Sequence, residues 1–193
     1  MKINHSLLTP MNNIRPLIAL LCLAASSLLL APGCSSTATR ASTGEYIDDS
    51  VVTTKIKTDL ARDAATPASA ISVETFKGRV LLSGFVDMAE QKAQASVVAS
   101  KVTGARDILN QIVVKTSKST TGVFIDDSVI TTKVKAALLK ADGVPASAIS
   151  VETYRGVVLL SGFVDTAAQK TAAEAIAAKI DNVNDVSNAL VLK

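Results

Sequence analysis

The sequence predicts an α+β protein made of two tandem copies of one small module, each with the element order helix, strand, strand, helix, strand. Three observations carry that reading. Residues 46–115 align without a gap on residues 124–193 at a constant offset of 78, with 38 of 70 positions identical. Within each copy, apolar residues recur at helical spacing in some stretches and alternate at strand spacing in others. Cap and turn residues fall at the changes between them.

Each copy opens on IDDS, Ile47 to Ser50 and Ile125 to Ser128. Asp48 and Asp49, with Asp126 and Asp127, are N-cap residues at the positive end of a helix dipole. Val52, Ile56 and Leu60, and again Ile130, Val134 and Leu138, then form an apolar stripe that reads as core. The strand AISVETF (AISVETY in copy two) meets a tight turn at Lys77-Gly78 or Arg155-Gly156, and RVLLSGFV or VVLLSGFV completes a hairpin. Gly84 and Gly162 interrupt that second strand. A bend or a close approach of helix to sheet is the plain reading, and a ligand contact is its rival.

Asp87 and Asp165 are expected to cap a second helix, with Glu90 completing a capping box in copy one where copy two has Ala168. This Ala-rich helix is expected to run to about Val102 and Ile180. A final strand follows in each copy, DILNQIVVK and DVSNALVLK, in which Val186, Asn188, Leu190 and Leu192 alternate with their neighbours. A module of this size buries only about 60% of its unfolded surface, so contact with the other copy is expected to add stability. The polar joint over residues 116–123 spans at most ~28 Å, which keeps the modules neighbours.

The amino end carries Lys2 and Arg15 and then an apolar run from Leu17 to Leu30. That is the pattern of a secretory leader over residues 1–33, and the run is shorter than the roughly 20 residues that cross a bilayer. The run closes on LAPGC, which resembles the lipobox of bacterial lipoproteins, where the Cys receives palmitate-type acyl chains and becomes the first mature residue. Cys34 is therefore the expected lipidation site. An unpaired thiol in an oxidising compartment favours that reading over an ordinary secreted protein. The Ser- and Thr-rich stretch over residues 34–45 reads as a flexible tether.

Without the leader's Lys2 and Arg15, 18 basic residues face 17 acidic ones, which gives no global attraction to nucleic acid. Trp is absent and six Phe and Tyr residues are too few for base-stacking platforms, so nucleic acid is not an expected partner. The sole His is His5, in the leader, which removes His-centred triads and zinc sites. No glycine-rich phosphate loop or calcium loop is present. The Asp residues at helix starts act as caps, and Glu74 and Glu152 beside the hairpin turns are expected to be solvated, so no catalytic residue, metal or cofactor is expected.

One surface feature is left over. On the first helix of copy two, Val129, Thr132, Lys133, Ala136 and Lys140 fall on one face beside the core stripe. An apolar residue among basic ones is an interfacial pattern, and an ordinary solvated helix surface is the alternative. Lys133, Lys135 and Lys140 are each worth ~1 kcal/mol near anionic headgroups. Copy one has Val51, Thr54, Lys55, Thr58 and Arg62 at the same places.

The stretches DDSVITTKVKAAL, ISVETYRGVVLLSGFVD and VNDVSNALV, each with its counterpart in copy one, resemble the BON domain of bacterial envelope proteins. The resemblance implies two αββαβ modules, over residues 46–115 and 124–193, each a small three-stranded mixed sheet covered by two helices. It implies no catalysis, and association with phospholipid or envelope proteins in keeping the outer membrane intact under stress. Two kinds of tandem member exist, a soluble periplasmic osmotic-stress type and a lipoprotein of the outer membrane. Cys34 points to the second, lipid-anchored at the periplasmic face. In that kind the first helix of the second module contacts phospholipid, anionic lipid in particular, and carries an aromatic residue where this chain has Val129. The soluble kind implies instead a protein-binding or chaperone-like module.

Overall fold

The computed structural model describes residues 48–115 and 126–193. The expected leader over 1–33, Cys34, the tether over 34–45 and the joint over 116–123 lie outside the described residues. Helix α1 (Asp49–Arg62) starts where the Asp48 carboxylate accepts from the Ser50 N–H at 2.9 Å, and α3 (Asp127–Lys140) starts in the same way at Asp126 and Ser128. Val52, Ile56 and Leu60, and Ile130, Val134 and Leu138, are the buried residues of these helices, as their spacing predicts.

The second acidic residue of each pair has a different task. Asp49 and Asp127 lie in the first helical turn and reach across to the hairpin. There they accept from the backbone N–H groups of Lys77 and Gly78, and of Arg155 and Gly156. The hairpins are β1 (Ile71–Phe76) with β2 (Arg79–Val86) and β5 (Ser150–Tyr154) with β6 (Val157–Val164), both antiparallel. Lys77 and Gly78 have φ of 52° and 77°, Arg155 and Gly156 51° and 76°, the positive pair that a two-residue turn of matching twist requires.

The helices α2 (Ala89–Ser100) and α4 (Ala167–Ala177) begin one residue later and end sooner than expected. Met88 and Thr166 occupy the N-cap, and the partner of the box is Gln91 or Gln169, whose Oε1 accepts from the preceding backbone N–H groups. Asp87 and Asp165 therefore stand one residue before the N-cap, and their carboxylates lie beside the last residue of each module, Lys115 at 3.1 Å and Lys193 at 2.9 Å. Glu90 stays exposed in the first turn.

The closing strand of copy two is continuous, β7 (Asp185–Leu192), and pairs in parallel with β6. In copy one it is divided into β3 (Asp107–Asn110) and β4 (Val113–Val114), both parallel to β2, with Ile112 buried between them. Each sheet is thus mixed, with the long hairpin strand in the middle. Asn110 and Asn188 sit among the alternating residues because their amides donate to the carbonyls of Lys92 and Lys170, tying the closing strand to the second helix.

Gly84 and Gly162 resolve in favour of a close approach, although the partner is a carbonyl rather than an α-helix. A Cβ on either would stand 2.0 Å from the Ala70 oxygen or 2.1 Å from that of Ala148, at the end of a 3-10 turn before the first strand. Backbone already occupies the space that a ligand would need.

The helices of each module cover one face of its sheet, where Val80, Leu82 and Val86, or Val158, Leu160 and Val164, join the helical stripes. The other face of each sheet packs against the other module. Ser83 and Ser161, 78 residues apart in sequence, meet at 3.0 Å between their hydroxyls. Around them the ring pairs Phe76–Phe163 and Phe85–Tyr154 lie 5.5 and 5.7 Å apart. Phe76 corresponds to Tyr154 and Phe85 to Phe163, so the two ring pairs are one contact made twice about a pseudo-twofold axis through the serines. Each ring pair is worth about 0.5–1.5 kcal/mol beyond its burial. The layer order is helices, sheet, sheet, helices, which is why β2 and β6 are buried on both faces and read as near-continuous apolar runs broken only by Ser83-Gly84 and Ser161-Gly162.

Candidate functional site

Helix α3 advances 100° per residue, so Val129, Thr132, Lys133, Ala136 and Lys140 centre about 150° from the Ile130, Val134 and Leu138 stripe. The face therefore points away from the core, where the spacing had placed it beside the stripe. All five residues are exposed, Val129 at 44%. The Thr132 hydroxyl donates to the Ser128 carbonyl at 2.8 Å, so its hydrogen-bonding need is met within the helix.

The structure adds one residue to this face. Leu139, three positions beyond Ala136, is 73% exposed, the highest value among the exposed large apolar residues. Beside Leu138 it reads as more core, yet Leu138 already closes the stripe at four-residue spacing and Leu139 falls 100° outside it. That offset was the available signal. The result is a strip of Val129, Ala136 and Leu139 with Lys133 and Lys140 along one flank and Lys135 along the other. None of these three lysines forms an ion pair among the described residues.

The equivalent face of α1 is more polar. Ala61 stands at the position of Leu139 and Thr58 at that of Ala136, and Arg62 lies 3.8 Å from Asp59. Val51 is 44% exposed there, as Val129 is on α3.

Beside the α3 face an open groove of about 590 Å³ runs between the first turn of α3 and β5, with Phe85 of the first module on its far wall. Glu152 lines it and accepts from Ser72 of the first module at 2.9 Å. No group of three or more metal-ligating residues occurs among the described residues, and no described helix is long and apolar enough to cross a membrane. Glu74 and Glu152 are half-buried rather than solvated, and burial pushes the Glu74 carboxyl above its ordinary range, with Lys57 opposing. The hydrogen bonds from Ser50 and Ser128 hold Asp48 and Asp126 below theirs. These shifts follow from caps and module packing, and none belongs to the α3 face.

The family described as BON domain matches residues 48–116 and 126–193. The chain is 40% identical over 152 residues to the osmotically-inducible protein Y of Escherichia coli (strain K12), covering 78% of this chain and 75% of that protein. It is 33% identical over 145 residues to the outer membrane lipoprotein DolP of Haemophilus influenzae, covering 75% of this chain and 74% of that one. To the 21 kDa hemolysin of Actinobacillus pleuropneumoniae it is 33% identical over 147 residues, covering 75% and 74%.

Proposed function

The chain belongs to the BON domain family, with two copies of the domain, and on that premise we propose that it is a non-enzymatic protein of the bacterial envelope, held by a lipid on Cys34 at the periplasmic face of the outer membrane, whose second module touches anionic phospholipid. The observation that carries the lipid contact is the outward strip of α3, an exposed Leu139 and Val129 between three lysines that form no ion pair among the described residues. Full burial of a Leu or Val side chain is worth about 1.5–3 kcal/mol and each lysine ~1 kcal/mol near an anionic surface, so the face alone binds weakly. A lipid tether raises the effective concentration of both modules at the bilayer, and a weak face then suffices. The lipoprotein named among the relatives supports the anchored form. Envelope proteins are the other class of partner such an anchored pair of modules would meet.

The test is flotation of the chain from Ser35 onward with vesicles of phosphatidylglycerol and phosphatidylethanolamine, and with neutral phosphatidylcholine vesicles. Binding to the anionic vesicles that fades with salt is expected, and equal, negligible recovery with both sinks the lipid contact.

A second reading is favoured by the higher identity to the osmotically-inducible protein: a soluble periplasmic stress protein whose modules bind other proteins. Labelling cells with a fatty-acid probe separates the two. The anchored reading expects label on the wild type and none on Cys34→Ala, and an unlabelled wild type supports the soluble one.

A further inference from the structure

The cations of the α3 face have counterparts at every position on α1: Lys55 for Lys133, Lys57 for Lys135 and Arg62 for Lys140. All three are exposed, as is Val51 beside them. The stacking of the modules decides where this second face points. Because the two sheets meet back to back at Ser83 and Ser161, α1 and α3 lie in the outermost layers on opposite sides of the stack. With sheets packed ~10 Å apart and a helix layer of about 10 Å diameter on each, the two faces are roughly 40 Å apart and look in opposite directions. A flat bilayer that touches one cannot touch the other.

We infer that the chain bridges two anionic phospholipid surfaces, with α3 as the stronger contact and α1 as the weaker one. This rests on the lipid contact proposed above and extends it to the other side of the molecule. Charge complementarity argues for the occupant, since the α1 face repeats the same triad of cations around an exposed valine. Its weakness has two sources. Ala61 replaces the Leu139 anchor, and Arg62 is shared with Asp59 at 3.8 Å. Two surfaces held by many copies of the chain offset a feeble single contact through multivalency.

The experiment uses the chain from Ser35 onward, which keeps both modules whole, and follows vesicle clustering by light scattering beside flotation with the same phosphatidylglycerol vesicles. The native chain should float with the vesicles and cluster them. Lys55→Gln/Lys57→Gln/Arg62→Gln should float within about 2-fold of native and cluster at least ~5-fold less. Lys133→Gln/Lys135→Gln/Lys140→Gln should lose both, with circular dichroism unchanged because all six positions are exposed. Binding without clustering overturns the bridge and leaves the α3 contact standing. Clustering that survives the α1 triple variant, or a free chain that sediments as a dimer, overturns it as well. Absence of flotation removes the lipid contact and the bridge together.

Discussion

The Asp49 carboxylate accepts from the backbone N–H of Gly78 at 2.8 Å, with its second oxygen 2.5 Å from the Lys77 nitrogen. Asp127 repeats this with Gly156 at 2.9 Å and Arg155 at 2.6 Å. One side chain in the first turn of a helix thereby fixes a turn 28 or 29 residues away and holds a Lys or Arg in the left-handed region, where a side chain is unfavourable. The paired Asp residues that open both copies are explained by this division of labour: the first caps the helix and the second clasps the hairpin.

Replacing Asp49 or Asp127 by Ala strands two turn N–H groups, one of them on a buried Gly. Each substitution is expected to lower stability by about 1–3 kcal/mol in urea unfolding. A loss within experimental error would show that solvent serves the turn equally well.

Gly84→Ala and Gly162→Ala drive a methyl to within 2.1 Å of a carbonyl oxygen at a φ of 129° or 136°. The expected cost is about 4 kcal/mol or more, read as insoluble protein or a collapse of the thermal midpoint. A variant that folds with native stability would mean that the 3-10 turn moves aside freely.

The Phe76–Phe163 pair should show energetic coupling. A double-mutant cycle with Ala at both positions is expected to return about 0.5–1.5 kcal/mol of interaction energy. Coupling near zero, with two separate unfolding transitions, would contradict a shared core between the modules.

Glu74 provides a pH signature. Burial raises its folded pKa above the unfolded value, so the folded state holds the proton more tightly and this contribution to stability is present in acid and lost as pH rises through the folded pKa. Glu74→Gln is therefore expected to be more stable than the native chain at neutral pH, with the advantage shrinking below the ordinary carboxylate range. Asp48 and Asp126 work in the opposite sense: their depressed pKa values favour the fold above the ordinary carboxylate range and the benefit fades as pH falls. An advantage of the Gln variant that is constant across pH would rule out burial of the charge as its source.

On the α3 face, Leu139→Ser should weaken flotation with anionic vesicles by roughly 10-fold, and Ala61→Leu should strengthen the α1 contact by a similar factor. Unchanged flotation of Leu139→Ser would leave that side chain without a part in membrane contact.

Much of the fold was legible along the chain. Asp48 as a cap, the stripe from Val52 to Leu60 and the positive-φ turn at Gly78 are local features, decided by residues within a turn or two of each other. The error at Asp87 is equally instructive. Its sequence context is that of an N-cap, but Gln91 closes the box on Met88, and Asp87 is left one residue outside the helix with Lys115 at 3.1 Å. On the candidate face, the lysines and Val129 follow from spacing, whereas Leu139, adjacent to Leu138, differs from a core residue in the sequence only by its 100° offset from the stripe that Leu138 closes.

By itself, then, the sequence determined the duplication, the order of elements, the start of the first helix in each module and the core stripe, because each depends on short-range periodicity or on a cap within reach of its own helix. The tertiary structure alone decided that Ser83 meets Ser161, that Phe76 and Phe85 find rings in the other copy, and that α1 and α3 face opposite ways. Those contacts join residues about 70 to 90 positions apart. An apolar strand such as β2 reads the same whether its second face meets a helix, a membrane or another sheet, so only the folded packing could choose among them.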